Sequence, residues 1–211
     1  MNIILMGYRC TGKTSVGKRL ATCLNSAFYD TDALIQEETG KTIRQIVDED
    51  GWRAFRTEEK KTIARLALQD NCVIALGGGA ALDPENIEAL KVNGRIIWMM
   101  ANIETVLERM TKDATTDAQR PPLLGRNSAM EVILVLEERT PVYEAAADAA
   151  LDTDERSIDE LVDKLMHIVR TLNPIPLPTS PLKVEGPTAT GVKGTCTTET
   201  SVTIPPLQGE G

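Results

Sequence analysis

Histidine is all but missing from this chain: His167 is the only one in 211 residues, and it falls in a helical pattern near the end of the ordered-looking part. A histidine-activated nucleophile or a histidine-rich metal cluster therefore has almost nothing to be built from. Cysteine is scarce and scattered. Cys10, Cys23, Cys72 and Cys196 form no C-x-x-C pair, which argues against zinc and disulfide frameworks and fits a reducing cytoplasm. Basic charge is in deficit, with 23 Lys and Arg against 31 Asp and Glu and a net charge of -8. A phosphate backbone demands the opposite sign, so no nucleic-acid partner is expected. No apolar run reaches membrane-spanning length. No charged-then-apolar leader precedes the first strand-like run either, so the expectation is a cytoplasmic protein without a membrane partner. The chemistry must then run on Lys, Arg, Asp and backbone amides.

What is present is enough for one domain. Hydrophobic residues make up 42% and charged residues 26%, the balance of a globular core. Short apolar runs alternate with helical patterns, which predicts an α/β layered sheet. The strands are "NIILM" at 2–6, "SAFYD" ending at Asp30, "CVIAL" at 72–76, "GRIIWMM" at 94–100 and a weak "AALDT" after Ala147. Helical patterns run from Lys13 to about Asn25, over 33–70 with breaks near Gly40 and Gly51, and from Ser128 to Ala147. Ser157 with Glu160 forms a capping box that opens a last helix, running to about Leu172. Between Lys112 and Arg126 the pattern lapses into polar residues, prolines and glycine, which predicts a mobile loop. From 173 to 211 the chain is rich in Pro, Thr and Gly and poor in large apolar side chains. Such a segment buries too little to offset its ordering entropy and reads as a disordered tail.

The first strand runs straight into "GYRCTGKT", residues 7–14, with the spacing G-x-x-x-x-G-K-T. A strand, a glycine-bounded loop and a helix are what a phosphate-binding loop requires. Backbone N–H groups turn inward onto phosphate oxygens, and the helix adds its positive N-terminal end. Lys13 can reach the outer phosphates and the Thr14 hydroxyl can ligate magnesium. Cys10 departs from the pattern, since related loops often place glycine there. It is tolerated if its φ is negative; a positive φ would cost roughly 1 kcal/mol or more. Its thiol, beside Lys13 at a helix N-terminus, could also be acidified; a small tolerated side chain is the plainer reading.

No guanine-reading N-K-x-D segment is present, and the strand at 72–76 ends in Gly77-Gly78-Gly79 rather than an acidic residue. Both observations point away from GTPases and motor-type ATPases. The carboxylates come earlier, in "DTD". Strand alternation puts residues two apart on one side, so both Asp30 and Asp32 can face the phosphate loop; a plain helix N-cap with acidic first-turn residues is the competing reading. "WRAFRTEE" then places Arg56 on a helix, where it could simply pair with Glu59. "QRPPLL" places Arg120 in the mobile loop, and "ERTPVY" places Arg139 at a helix junction just before Pro141.

This set of motifs, in this order, resembles the shikimate kinase family over Met1 to Leu172. The resemblance implies a P-loop NTPase fold: three α/β/α layers, a five-stranded parallel sheet, substrate-binding helices and a mobile lid at about 112–126. It implies transfer of the γ-phosphate of ATP to the 3-hydroxyl of shikimate, with ATP and Mg2+ required and a monomer expected. Residue by residue, Cys10, Thr11, Gly12, Lys13, Thr14 and Ser15 match the ATP-phosphate loop. Thr14 and Asp30 match the magnesium site, the latter acting through water. Asp32 matches the acceptor-binding residue and base, Arg56 and Arg139 the carboxylate grip, and Gly78 a substrate contact. Arg120 matches the lid arginine that closes on the transferring phosphate, and Arg109 and Arg156 fall near adenine-flanking positions. A small anion with three hydroxyls does suit guanidinium forks and one carboxylate. Two other readings stay open. One is a gluconate-kinase-like enzyme, although "DTDALIQEE" lacks the histidine usual there. The other is a non-catalytic ATP-binding module.

Overall fold

The computed structural model describes residues 1–112 and 129–172. The expected lid with Arg120 (apart from Lys112) and the tail from residue 173 onward lie outside the described residues.

Five strands form one parallel sheet: β1 (Asn2–Met6), β2 (Ala27–Asp30), β3 (Cys72–Ala75), β4 (Gly94–Met100) and β5 (Ala149–Asp152), in the order β2-β3-β1-β4-β5. β1 is central and buried along its whole length, which is why it reads as an unbroken apolar run rather than an alternating one. Its residues still divide by period two. Ile3 and Leu5 pack with Val16, Leu20, Ile97, Leu161 and Leu165 on one face. Ile4 and Met6 pack with Ile63, Leu66, Ile74, Leu90 and Tyr143 on the other. The first face is covered by α1 (Lys13–Leu24) and α7 (Ile158–Leu172), the second by α3 (Ile43–Ala67), α4 (Pro84–Lys91) and α6 (Ala129–Ala146). Two shorter helices, α2 (Thr31–Thr39) and α5 (Ile103–Lys112), follow β2 and β4. The three expected layers are therefore present. Among the described residues no helix is long and apolar enough to cross a membrane.

Local chemistry sets the boundaries. Thr42 and Gln45 close a capping box on α3, and Ser157 and Glu160 cap the start of α7 as the sequence predicts. Gly51, at φ 79° and ψ 166°, kinks α3 internally, the break that glycine permits at least steric cost. Pro141 sits inside α6, not at a junction, so Arg139 lies on a continuous helix. Every strand's carboxyl end opens on the same edge of the sheet. That edge carries the phosphate loop after β1, Asp30 at the end of β2, the glycine run after β3 and the Asp152–Thr153 corner after β5, the usual ligand crevice of an open parallel sheet.

Candidate active site

The phosphate loop is held in shape by its own side chains. The Thr11 hydroxyl donates to the Tyr8 carbonyl at 2.8 Å, and Lys13 Nζ donates to the Gly7 and Tyr8 carbonyls at 2.9 and 2.6 Å. Thr11 is buried with its hydroxyl turned into the loop, whereas Ser15 is exposed on the first turn of α1. Gly7 has no room for a side chain: a Cβ there would strike the Met99 carbonyl oxygen. Gly12 is the N-cap of α1 at φ 87°, so the loop's amides lead directly into the helix dipole. Cys10 falls on the costlier side of the question that the sequence left open. It sits at φ 61°, in the left-handed region, because the loop must curl back before Gly12. An unbranched side chain tolerates this at about 1 kcal/mol. Its carbonyl accepts from Arg109 Nη1 at 3.2 Å.

Asp30 and Asp32 do not share a strand face. Asp30 ends β2 and caps α2 through one carboxylate oxygen, which accepts the Asp32 and Ala33 amides at 3.1 and 3.3 Å. Its other oxygen accepts the Thr14 hydroxyl at 2.7 Å. The N-cap reading thus holds, and the same side chain also faces Thr14 beside the phosphate loop. Capping turns the chain into helix at Thr31, so alternation stops there. Asp32, 5% exposed on the first turn of α2, instead lines a separate cavity.

That cavity brings together Asp32, Arg56, Gly78 and Arg139, all expected from sequence, with Arg9, Trp52, Phe55, Glu59 and Gly79. Arg56 does pair with Glu59, one turn on, yet this is no surface pairing: Glu59 is 2% exposed. The Arg56 guanidinium also lies over the Trp52 and Phe55 rings, 5.5 and 5.2 Å from their centroids, a cation–π setting that orients it. Arg139 Nη1 donates to the Gly78 carbonyl at 2.9 Å, and the Tyr143 hydroxyl donates to the same oxygen. Arg139 Nε, buried, finds no acceptor among the described residues. Thr31 Oγ1 accepts the Gly77 amide at 2.8 Å, pinning the glycine run to the start of α2. Two of its glycines have no room for a side chain. A Cβ on Gly77 would collide with Asp32 Oδ1 and stand 3.0 Å from Glu59 Oε1, and one on Gly79 would collide with the Arg56 guanidinium.

Burial, opposed by the Arg56 guanidinium and reinforced by Asp32, pushes the Glu59 carboxyl up from 4.5 to about 7. An acid whose folded pKa is raised contributes stability that is complete below its unfolded pKa and is lost as pH rises through the folded one. Glu59→Gln is therefore expected to flatten the fall in Tm between pH 4.5 and about 7. Thermal unfolding at several pH values checks this; an unchanged slope would show that Glu59 keeps its proton equilibrium on folding.

Arg109 and Arg156 converge on a third place. Arg109 donates to the Thr153 carbonyl at 2.8 Å and to its hydroxyl at 3.1 Å, and Arg156 donates to the neighbouring Asp152 carbonyl. Both flank the corner after β5, and Arg109 ties that corner to the phosphate loop. Glu59, Thr31, Tyr143 and Arg9 were missed by sequence reasoning. Only Glu59 had a signal, its i,i+3 spacing from Arg56.

A phosphate loop, a hydroxyl–carboxylate pair beside it, and an adjoining cavity lined by three guanidiniums and two carboxylates define a P-loop kinase of small anionic, hydroxylated acceptors. Comparison with known proteins narrows this. A family model described as shikimate kinase matches residues 9–170. The shikimate kinase of Syntrophus aciditrophicus is 41% identical over 174 residues, 79% of this chain and 89% of its own length. That of Pelotomaculum thermopropionicum is 41% identical over 173 residues, covering 82% and 97%. The solved shikimate kinase from Acinetobacter baumannii, in complex with shikimate, superposes with a TM-score of 0.75 at 32% identity, covering 81% of this chain and 93% of that one. The chain belongs to the shikimate kinase family. It is a phosphotransferase with ATP and shikimate as substrates.

Proposed function

We propose that this chain moves the γ-phosphoryl group of ATP to the 3-hydroxyl of shikimate through the residues assembled above. The observation that carries the assignment is the juxtaposition of the two sites. Gly78 lines the acceptor cavity, yet a Cβ on it would stand 3.6 Å from the Arg9 amide of the phosphate loop. An acceptor seated against the glycine run therefore lies next to the outer phosphates. Arg56 and Arg139 grip its carboxylate, Arg139 offering its buried Nε. Asp32 binds the hydroxyls and takes the proton from the attacking oxygen. Lys13 leaves the loop carbonyls for the β- and γ-phosphates, while Gly12 and the first α1 amides face the phosphate oxygens. Arg109 and Arg156 flank the adenine. Arg120, matched to the transferring phosphate by the resemblance, lies outside the described residues.

The oxygen pair Thr14 Oγ1 and Asp30 Oδ2, 2.7 Å apart, fits magnesium, which favours hard oxygen donors and few protein ligands. Thr14, with Asp30 behind it, would hold Mg2+, which supplies positive charge to the phosphate oxygens. Among the described residues no disulfide joins Cys10, Cys23 and Cys72, which fits a reducing cytoplasm. An ADP-release assay on the purified chain tests the whole reading. Release should depend on shikimate and on magnesium, whereas ATP binding without shikimate-dependent turnover would leave only a nucleotide-binding module.

A further inference from the structure

Arg9 and Glu131 are both charged, both nearly sealed from solvent at 6% and 2% exposure, and 122 residues apart in the chain. Arg9 is the third residue of the phosphate loop and Glu131 the third of α6. Arg9 Nη2 donates to Glu131 Oε1 at 3.2 Å, and Arg9 Nε donates to the Tyr8 hydroxyl at 3.2 Å, with the guanidinium over the Tyr8 ring. A buried ion pair is a poor device for stability, because desolvation offsets most of the attraction. Its better-attested use is to fix one arrangement of two elements against others.

The elements joined here matter. The inward face of α6 is a stripe at four-residue spacing, Glu131, Val135, Arg139 and Tyr143, every member buried. At 1.5 Å per residue, Glu131 and Arg139 are about 12 Å apart along one rigid helix. The first end of the stripe holds the phosphate loop. Its far end, through Arg139 and Tyr143, holds the Gly78 carbonyl of the acceptor site. Gly78 in turn packs back on the phosphate loop, with Arg9 N at 3.6 Å and Gly7 O at 3.7 Å from its Cβ position. Phosphate loop, α6 and glycine run thus close a ring. A shift of the loop around phosphates must pass through Arg9 to α6, and along α6 to the guanidinium that grips the acceptor.

We propose that the Arg9–Glu131 pair is a positioning device that couples the two substrate sites, so that nucleotide in the phosphate loop sets the placement of Arg139 and Gly78 and tightens acceptor binding. This rests on the site assignment above. Its test measures shikimate dissociation constants by isothermal titration, with and without a non-hydrolysable ATP analogue and magnesium. The variants are Arg9→Met, Glu131→Gln and their double, with Arg9→Lys added in case Arg9→Met fails to fold. In the unaltered protein the analogue should tighten shikimate binding by about fivefold or more. In each single variant that ratio should fall to about one, and in Glu131→Gln either ligand alone should bind within roughly threefold of the original. The double variant should be no worse than the singles, as members of one link behave. Arg9→Lys should give an intermediate ratio and a partly restored kcat.

A ratio of one in the unaltered protein overturns the proposal. So does an undiminished ratio in the variants, whatever happens to Tm, which would leave the pair with a purely structural role. Weakened shikimate binding in Arg9→Met without nucleotide, not shared by Glu131→Gln, would make Arg9 a direct acceptor ligand instead. Arg139→Ala, run alongside, separates this from the site assignment: it should lose shikimate affinity in both nucleotide states, and if it does not, the assignment itself fails.

Discussion

Asp32→Asn is expected to lower shikimate-dependent turnover by roughly a thousandfold, the range of a lost general base. Nucleotide affinity and Tm should stay close to their original values. The reason is positional. Asp32 lines the acceptor cavity from the first turn of α2, while the phosphate loop and the Thr14–Asp30 pair are built without it. Asparagine has nearly the same shape and keeps an oxygen for hydrogen bonding, so the packing against Gly77 survives and only the capacity to accept a proton is removed. Steady-state kinetics with titration of a fluorescent ATP analogue would check both halves. Turnover near the original rate would remove Asp32 from the role of base and leave it as a binding group.

The second large effect is expected at Arg139. Arg139→Ala should raise the shikimate KM by about two powers of ten, the equivalent of roughly 3 kcal/mol for a buried charge-assisted pair. ATP affinity in the absence of shikimate should hardly move. The Gly78 carbonyl keeps the Tyr143 hydroxyl as donor, so the glycine run has no reason to collapse. Arg139→Lys should recover only part of the loss, since an ammonium cannot reproduce a planar fork. A fall in ATP affinity with shikimate KM unchanged would place Arg139 on the wrong substrate.

How far each residue could be read from sequence follows from how local its role is. The phosphate loop was legible whole because its parts are contiguous: a buried strand, two glycines, Lys13 and Thr14 within one turn of chain. Cys10 shows the limit of even that reading. Its identity left the sign of φ open, and the curl of the loop sets it at 61°. "DTD" shows a second limit. Strand alternation was the wrong rule for these two carboxylates. The Asp30 carboxylate caps α2 and ends the strand, sending Asp30 to Thr14 and Asp32 to the cavity at the glycine run.

Residues whose work depends on distant partners left no trace. Thr31 acts on Gly77 across 46 residues, Tyr143 on Gly78 across 65, and Arg9 on Glu131 across 122. Glu59 was visible only as an ordinary partner for Arg56. That it is buried, and titrates near 7, depends on α3 packing over the sheet beside Asp32.

Order along the chain was therefore enough for the alternation of strands and helices, the family, and the identity of most polar groups in the two sites. Apolar periodicity and loop chemistry are local, and they survive in one dimension. Which carboxylate meets the Thr14 hydroxyl and which the cavity at the glycine run, why Gly77 and Gly79 have no room for a side chain, and how the phosphate loop is tied to α6 needed the folded chain. Those facts are distances between segments far apart in sequence, and packing alone sets them.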